Sequence, residues 1–455
     1  MIIIFNLKKE PVLKTFPVGG IHPPDTKLTA GVEIKNLPVP ECVTIPVSQH
    51  IGAPATTIVN KGDSVRTGQV IAICKGFVSS NIHSSVSGKI NKIDSVIDSS
   101  GFKQTAIVID VEGDEWIETI DRSREIFREI KLTPEEITKR CLDSGIVGMG
   151  GAAFPSHVKL TIPEGKKCNV LIINGVECEP FLTSDHRLMI ENGEEVLTGV
   201  SILMKALKVD KAMVGIENNK SDAINHLTEI ARSFKGITIH SLKVKYPQGA
   251  EKQLIKALIN REVPSGHLPI DVGAVVHNVG TAFAVYEAVQ KNKPLFERVV
   301  TITGKSLANP GNYMVRIGTP VRKLIEAAGG MPEDTGKVVN GGPMMGKAIN
   351  NIDVPVLKGT SGIILFPGNE SQREEIGPCI RCAKCVTICA NSLEPYLLMN
   401  LSEMGLFEKA ETERITDCME CGSCSYVCPA NRPLLDYVRL GKSTVLKMER
   451  ERKMK

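Results

Sequence analysis

Apolar positions along this chain change rhythm several times, and each change marks a different kind of element. Between residues 47 and 90, short apolar stretches are broken at Gly62-Asp63, Gly68-Gln69 and Ser85-Val86-Ser87-Gly88-Lys89. That is the pattern of short strands joined by glycine turns. Thr133-Pro134-Glu135-Glu136 then opens a helix through Cys141, with Thr133 as N-cap and proline in its first turn. Val170-Leu171-Ile172-Ile173 predicts a strand. Val299-Val300-Thr301-Ile302-Thr303-Gly304 begins a second β-rich unit that continues through Asn309-Pro310-Gly311-Asn312-Tyr313, a helix near residues 321–328, and Gly341-Gly342-Pro343-Met344-Met345-Gly346. From Leu393 the spacing is helical again, and residues 447–455 form a basic end expected to be a solvated helix terminus. The apolar run at residues 1–7 is too short for a secretory segment, and no window reaches the roughly 18 apolar residues of a membrane span. The expectation is a cytoplasmic chain, at most peripheral to a membrane.

Length and composition narrow the class. The 455 residues exceed one ordinary core and suggest several domains; 42% hydrophobic and 23% charged residues are globular values. A net charge of +4 and 4% aromatics, with Trp116 the single tryptophan, argue against nucleic acid as a partner.

Thirteen cysteines in such a chain point to metal ligation rather than disulfides. Cys42, Cys74, Cys141, Cys168 and Cys178 are scattered and read as small core residues or plain thiols. The other eight form two runs: Cys379, Cys382, Cys385 and Cys389, then Cys418, Cys421, Cys424 and Cys428, the last followed by Pro429. Both have the C-x-x-C-x-x-C-x-x-x-C spacing of a 4Fe–4S site. Three thiolates from one loop reach three irons, and in two-cluster ferredoxins the fourth cysteine of each run serves the opposite cluster. On that pattern Cys379, Cys382, Cys385 and Cys428 hold one cluster, and Cys418, Cys421, Cys424 and Cys389 the other. Structural zinc also takes four thiolates, usually from paired C-x-x-C hooks, and stands as the alternative. Cys389 is followed by Ala390, so only the second run has the C-P ending.

A glycine loop spans residues 145–155. Gly148-x-Gly150-x-x-Ala153 fits a dinucleotide fingerprint, but it follows a helix and precedes the strand at 170–173, the reverse of the usual context. A plain helix-to-helix turn is an equal reading. After the strand come Asn174-Gly175-Val176-Glu177-Cys178-Glu179-Pro180, Asp185, His186 and Arg187. Polar groups there suit the ligand end of an open α/β sheet or, equally, the cap of the next helix.

Taken together, the glycine loop, Asn174 to Pro180, Gly249-Ala250-Glu251 and His277-Asn278-Val279-Gly280-Thr281 resemble the flavin-binding subunit of respiratory complex I, which binds FMN and NADH in one cleft. Gly19-Gly20-Ile21-His22-Pro23-Pro24, Tyr246-Pro247-Gln248-Gly249-Ala250-Glu251-Lys252-Gln253-Leu254 and the cysteine runs bring the chain closer still to the C subunits of Rnf ion-translocating ferredoxin:NAD oxidoreductases. The resemblance implies a multidomain α/β chain. Its expected parts are a barrel-sandwich hybrid (1–120), a Rossmann-like FMN/NADH-binding domain (121–295), a β-grasp soluble-ligand-binding domain (296–365), a helical ferredoxin-like two-cluster domain (366–440) and a basic tail (441–455).

It further implies that Gly148 and Gly150 admit FMN and that Lys159 neutralises its charge. Asn174, Glu177, Gly249, Glu251, Asn278 and Thr281 would line the flavin site, while Phe154 and Glu179 would contact NAD(H). Met149, Val176 and His277 depart from complex I, which has arginine, aspartate and asparagine there, and its basic, aromatic NADH segment has no clear counterpart between Arg261 and Val272. The barrel-sandwich module is expected to be structural. A carrier lysine would fall near Phe77 and Val78, where only Lys75 is close. The implied activity is hydride exchange between NAD(H) and FMN and single-electron exchange with two 4Fe–4S clusters, with no protein nucleophile. The implied setting is the cytoplasmic side of the membrane, held peripherally by integral membrane and iron–sulfur subunits. The rivals are a microcompartment NADH-dependent corrinoid reductase and a non-enzymatic iron–sulfur relay.

Overall fold

The computed structural model describes residues 13–97 and 101–454; the apolar run at residues 1–7 and the last residue of the basic end lie outside them. In the N-terminal part, Val43 and Ile45 turn inward from the strand Cys42–Pro46 while Thr44 between them is less buried. This strand pairs antiparallel with Lys103–Val111, which pairs with Gly88–Ile97, which pairs with Ser64–Val65. A second small sheet of Thr56–Thr57, Val70–Ile73 and Ile82–His83 faces it over a core of Val43, Ile45, Ile71, Ile82 and Ile107. The result is a barrel-sandwich hybrid. The hairpin of Gly88–Ile97 and Lys103–Val111 extends past the strands read from sequence, because beyond Ile90 the first of these strands buries no residue fully and so carries no apolar signal.

Residues 133–290 wrap a four-stranded parallel sheet in the order Ile237–Leu242, Ala212–Glu217, Val170–Asn174, Ala274–Asn278. Leu171 and Ile173 pack on one face against the helices Gly193–Leu207 and Val279–Gln290, while Val170 and Ile172 pack on the other against Glu251–Ile259. A strand covered on both faces must be a continuous apolar run, which is why residues 170–173 stood out. The two helices on the first face approach closely: a Cβ on Gly199 would stand 1.9 Å from the Ala282 carbonyl oxygen. The helix Pro134–Asp143 has the anticipated N-cap at Thr133, and Glu136 completes a capping box with it.

The third unit is a six-stranded mixed sheet ordered Ile34–Asn36, Gly311–Arg316, Glu297–Thr303, Gly362–Pro367, Thr335–Asn340, Lys347–Ile349, with the helix Val321–Ala327 against its core. Its edge strand, Ile34–Asn36, comes from the N-terminal segment and runs parallel to residues 312–314. The N-terminal segment therefore crosses the molecule before entering the barrel-sandwich module.

The last unit is helical. Helices Lys384–Thr387 and Ser423–Tyr426 sit inside the two cysteine runs, and Pro395–Glu403, Phe407–Thr412 and Leu434–Met454 pack around Leu398, Ala410, Ile415, Val438 and Val445. The stretch read as a basic tail from residue 441 begins within the last helix, where Val445 is fully buried. Among the described residues no helix is long and apolar enough to cross a membrane.

Candidate functional site

Asn174 and Asn278 are register partners at the C-terminal ends of adjacent parallel strands. The strand order reverses at Val170–Asn174, with Ala212–Glu217 added on one side of it and Ala274–Asn278 on the other, and the C-terminal ends of strands at such a reversal are where open α/β sheets bind ligands. Residues 145–155 lie against the end of the strand Ala274–Asn278 as a closed loop, held by Gly148 N–H to the Phe154 carbonyl (2.8 Å) and Ser156 N–H to the Ile146 carbonyl (3.0 Å). The loop runs from one helix to another, Pro134–Asp143 to Ser156–Leu160. Its tip, Gly150-Gly151-Ala152, is exposed, and among the described residues the three N–H groups there have no protein acceptor. Gly150 rests on Asn278. Gly151 has φ +115° with open space beside it, so the conformational need for glycine falls one position beyond those singled out from the sequence. Met149 is buried, its N–H donating to Thr281 Oγ1 (2.9 Å) and its carbonyl accepting from Arg298 (3.3 Å).

The polar groups beneath are cross-linked. Asn278 caps the helix Val279–Gln290 by accepting from Gly280 N–H (2.8 Å), and donates to Asp185 (2.6 Å). Asn174 donates to the Gly249 carbonyl (2.7 Å). Glu177, at φ +45°, accepts from the N–H groups of Asp185 (2.8 Å) and His186 (3.1 Å) at the start of the helix Ser184–Glu191. Burial, and then the Glu177 charge, lift the Asp185 carboxyl to about 7. Lys159 pairs with Glu251 (2.6 Å) and donates to the Val276 carbonyl (3.0 Å). Val176 is buried in the apolar core, and burial, with Lys159 nearby, lowers His277 to about 3, leaving a neutral imidazole.

Two lysines that sequence reasoning missed shape this loop. Lys27 donates to the carbonyls of Glu177 (2.8 Å), Glu179 (2.8 Å) and Leu182 (2.6 Å), and Lys220 donates to that of Val176 (2.8 Å). Burial, reinforced by Lys220, lowers Lys27 to about 8. Neither lysine lies in a recognisable motif; the only hint is that Lys27 follows closely on the Gly19 to Pro24 segment.

Glu179 is differently placed from the other predicted contacts. Its oxygens accept from Met344 N–H (3.0 Å), Met345 N–H (2.9 Å) and the Tyr246 hydroxyl (3.2 Å), and burial raises its pKa. It thus faces the Gly341 to Gly346 loop of the β-grasp unit, where a Cβ on Gly342 would lie 2.1 Å from Glu179 Oε2. Phe154 is half-buried at the root of the glycine loop. The barrel-sandwich module buttresses that loop: Ile51 N–H donates to the Ala153 carbonyl (3.3 Å), and Phe77 packs edge-on to His157.

The cysteine runs fold as copies of one another. Arg381, Ala383 and Ser392 have positive φ in the first, and Glu420, Gly422 and Asn431 in the second. Leu393 N–H points at Cys389 Sγ and Arg432 N–H at Cys428 Sγ, each at 3.4 Å. Cys389 lines one apolar cavity with Cys418, Cys421 and Cys424, and Cys385 is within electrostatic reach of Cys428. Cys389 therefore sits with the thiols of the second run, and Cys428 lies near Cys385 of the first. Four thiols spread around one apolar cavity suit a cubane, which takes a thiolate at each iron.

The Cys389 group is the one against the flavin-type domain. The Tyr246 hydroxyl lies 2.8 Å from the Cys421 carbonyl, Gly20 N–H donates to the Ile388 carbonyl (2.8 Å) and Gln253 donates to the Ala390 carbonyl (3.2 Å). Cys379 and Cys382 are exposed.

Comparison with known proteins agrees with this organisation. Four family models match in chain order: an RnfC barrel-sandwich hybrid domain over residues 14–114, a Nuo51 FMN-binding domain over 141–287, an SLBB domain over 299–348 and a 4Fe–4S dicluster domain over 378–432. The chain is 47% identical over 435 residues to the C subunit of the proton-translocating ferredoxin:NAD(+) oxidoreductase complex of Clostridium ljungdahlii, covering 95% of this chain and 94% of that one. It is 44% identical to the Na(+)-translocating counterpart of Acetobacterium woodii, covering 95% and 98%. It is 41% identical to the C subunit of the ion-translocating oxidoreductase complex of Rhodobacter capsulatus, covering 94% and 83%.

Proposed function

Because the chain belongs to the family of C subunits of ion-translocating ferredoxin:NAD(+) oxidoreductase complexes, we propose that it is the oxidoreductase subunit where NAD(H) meets a flavin and two 4Fe–4S clusters. The observation that carries this reading is the contact between a flavin-type cleft and a cysteine group through Tyr246 and Cys421. A bound FMN supplies the conversion between two-electron hydride chemistry and one-electron cluster chemistry. The free N–H groups of the Gly150 to Ala152 tip and the Lys159 ammonium suit its anionic parts, and Asn174, Asn278 and Thr281 hold the loop and strand ends in place. Glu177 and Glu251 contribute by organising the helix start and orienting Lys159.

The nicotinamide nucleotide would enter beside Phe154. Glu179 supports the site from behind, since its oxygens are occupied by protein donors. Cys389, Cys418, Cys421 and Cys424 would hold the cluster nearer the flavin. Cys379, Cys382, Cys385 and Cys428 would hold the outer one, from which electrons pass to or from a partner. Partners would be integral membrane and iron–sulfur subunits of the complex, holding this chain peripherally on the cytoplasmic side; ion movement belongs to them.

The test is anaerobic purification followed by NADH titration. Flavin fluorescence should appear on denaturation, and NADH should bleach both flavin and iron–sulfur absorbance. Iron without flavin and no response to NADH would overturn the reading in favour of a relay. Reduction of cob(II)alamin by NADH with no membrane subunits present would favour the corrinoid reductase.

A further inference from the structure

The segment Gly19-Gly20-Ile21-His22-Pro23-Pro24 belongs to neither the flavin-type sheet nor the cysteine runs, yet it touches both at their junction. Gly19, at φ +66°, stands against the Ile388–Cys389 peptide. A Cβ there would lie 2.5 Å from the Ile388 carbonyl oxygen and 2.7 Å from the Cys389 carbonyl carbon. Both are backbone atoms, so they cannot turn aside as a side chain could. Gly20, at φ +88°, donates its N–H to the same Ile388 carbonyl (2.8 Å). Left-handed backbone and lack of room therefore both call for glycine at this contact.

The flanking residues are fixed to the flavin-type domain. Ile21 and Tyr246 exchange two backbone hydrogen bonds of 2.9 Å each. Phe16 is buried, its carbonyl accepts from Lys245 (3.0 Å), and the Lys245 ammonium lies 4.0 Å from its ring centre. Residues 16–21 thus form a strap pinned at both ends, with its middle bearing on Cys389. Tyr246 also reaches Cys421 through its hydroxyl (2.8 Å), and Cys389 and Cys421 line one cavity. The second run lacks such a strap: among the described residues, its equivalent peptide, Val427–Cys428, accepts no backbone hydrogen bond from outside the run.

We propose that Gly19 and Gly20 are positioning residues for the cluster nearer the flavin, their strap setting where the crossing thiol Cys389 stands and so the potential of that one cluster. Leu393 N–H points at Cys389 Sγ (3.4 Å). Hydrogen bonds to the sulfurs tune a cluster's potential, and outer groups that orient a ligand tune the metal it holds. Moving the Cys389 peptide changes both the thiolate's place and its hydrogen bond. The inference rests on the two-cluster reading proposed above.

The experiment is an EPR-monitored redox titration of the anaerobically purified full chain with its cofactors. Gly19→Ala should alter the EPR signal and shift the midpoint potential of one cluster, the one missing from Cys389→Ala. The other cluster and the flavin content should match wild type. Gly405→Ala is the control for backbone strain, since Gly405 has φ +70° in the cluster domain but open space beside it; both its clusters should match wild type. If Gly19→Ala does not fold, Lys245→Met loosens the strap without adding an atom against Cys389 and should shift the same cluster. The inference is overturned if the foldable strap variant leaves both signals unchanged, changes both alike, or changes the cluster that survives Cys389→Ala. It is equally overturned if Gly405→Ala reproduces the shift. A wild type without two reducible clusters would sink the functional reading; a wild type with both, beside an unaltered strap variant, sinks this inference alone.

Discussion

Asp185 shows how a side chain with an ordinary helix-start position acquires an unusual chemistry. It shares its surroundings with Glu177, and desolvation together with that like charge raises its carboxyl from 3.8 to about 7, while Asn278 donates to its charged form. Because the folded pKa is the higher one, the folded state binds more protons than the unfolded state between those values. The contribution of Asp185 to stability is therefore full below about 3.8 and is lost as the pH rises through about 7. Asp185→Asn keeps an amide in its place and removes the titration. The difference in denaturation free energy between variant and wild type should move in the variant's favour as the pH rises from acid to neutral. A difference that stays flat across that window would show that Asp185 does not carry the linkage. Nothing in the sequence around Asp185 distinguished it from a helix-capping acid; the effect comes first from its burial and then from Glu177 folding back on it.

At the scale of elements, one strand of the parallel sheet and one helix beside it are legible in sequence. The run at residues 170–173 is apolar because both faces are covered, and the capping box at Thr133 satisfies helix-end groups from neighbours three residues apart. Close helix crossing is not legible in this way. Gly199 sits within a helix rich in apolar residues, and only the position of Ala282 on the facing helix makes a side chain there impossible without movement. Gly199→Ala should cost about 1–3 kcal/mol by overpacking, despite the better helix propensity of alanine. Chemical denaturation measures it directly, and a variant as stable as wild type would mean that the two helices can part at little cost. The long hairpin of the barrel-sandwich module was missed for the opposite reason: beyond Ile90 the strand Gly88–Ile97 buries too little for any alternation to appear.

At the scale of the molecule, the units are stitched by segments distant in sequence. Ile34–Asn36 completes the β-grasp sheet, Lys27 clasps the Glu177 to Leu182 loop, and Gly20 reaches the Ile388 carbonyl beside the first cysteine run. The crossed seating of the cysteines makes a prediction at this scale. Cys389→Ala should remove the cluster that Cys418, Cys421 and Cys424 would hold with it and leave the one proposed for Cys379, Cys382, Cys385 and Cys428. Iron should fall by about half, consistent with one of two cubanes, and NADH should reduce the flavin but no longer the remaining cluster. Loss of the first run's own cluster, with the other intact, would refute the crossing.

The sequence by itself determined what depends on neighbours a few residues apart: the cysteine hooks, the glycine loop, the buried parallel strand and the capped helix. The order of motifs also made the family recognisable before any fold was known. Tertiary structure decided what those parts do to one another. It set Cys389 among the thiols of the second run, turned Glu179 toward the β-grasp loop, placed Lys27 beneath the glutamate loop and brought Gly19 against Cys389. The physical reason is range. Turn geometry, caps and hook spacing are local interactions and leave a local pattern, whereas desolvation, close packing and hydrogen bonds between units depend on which distant surfaces meet, and one stretch of chain does not record that.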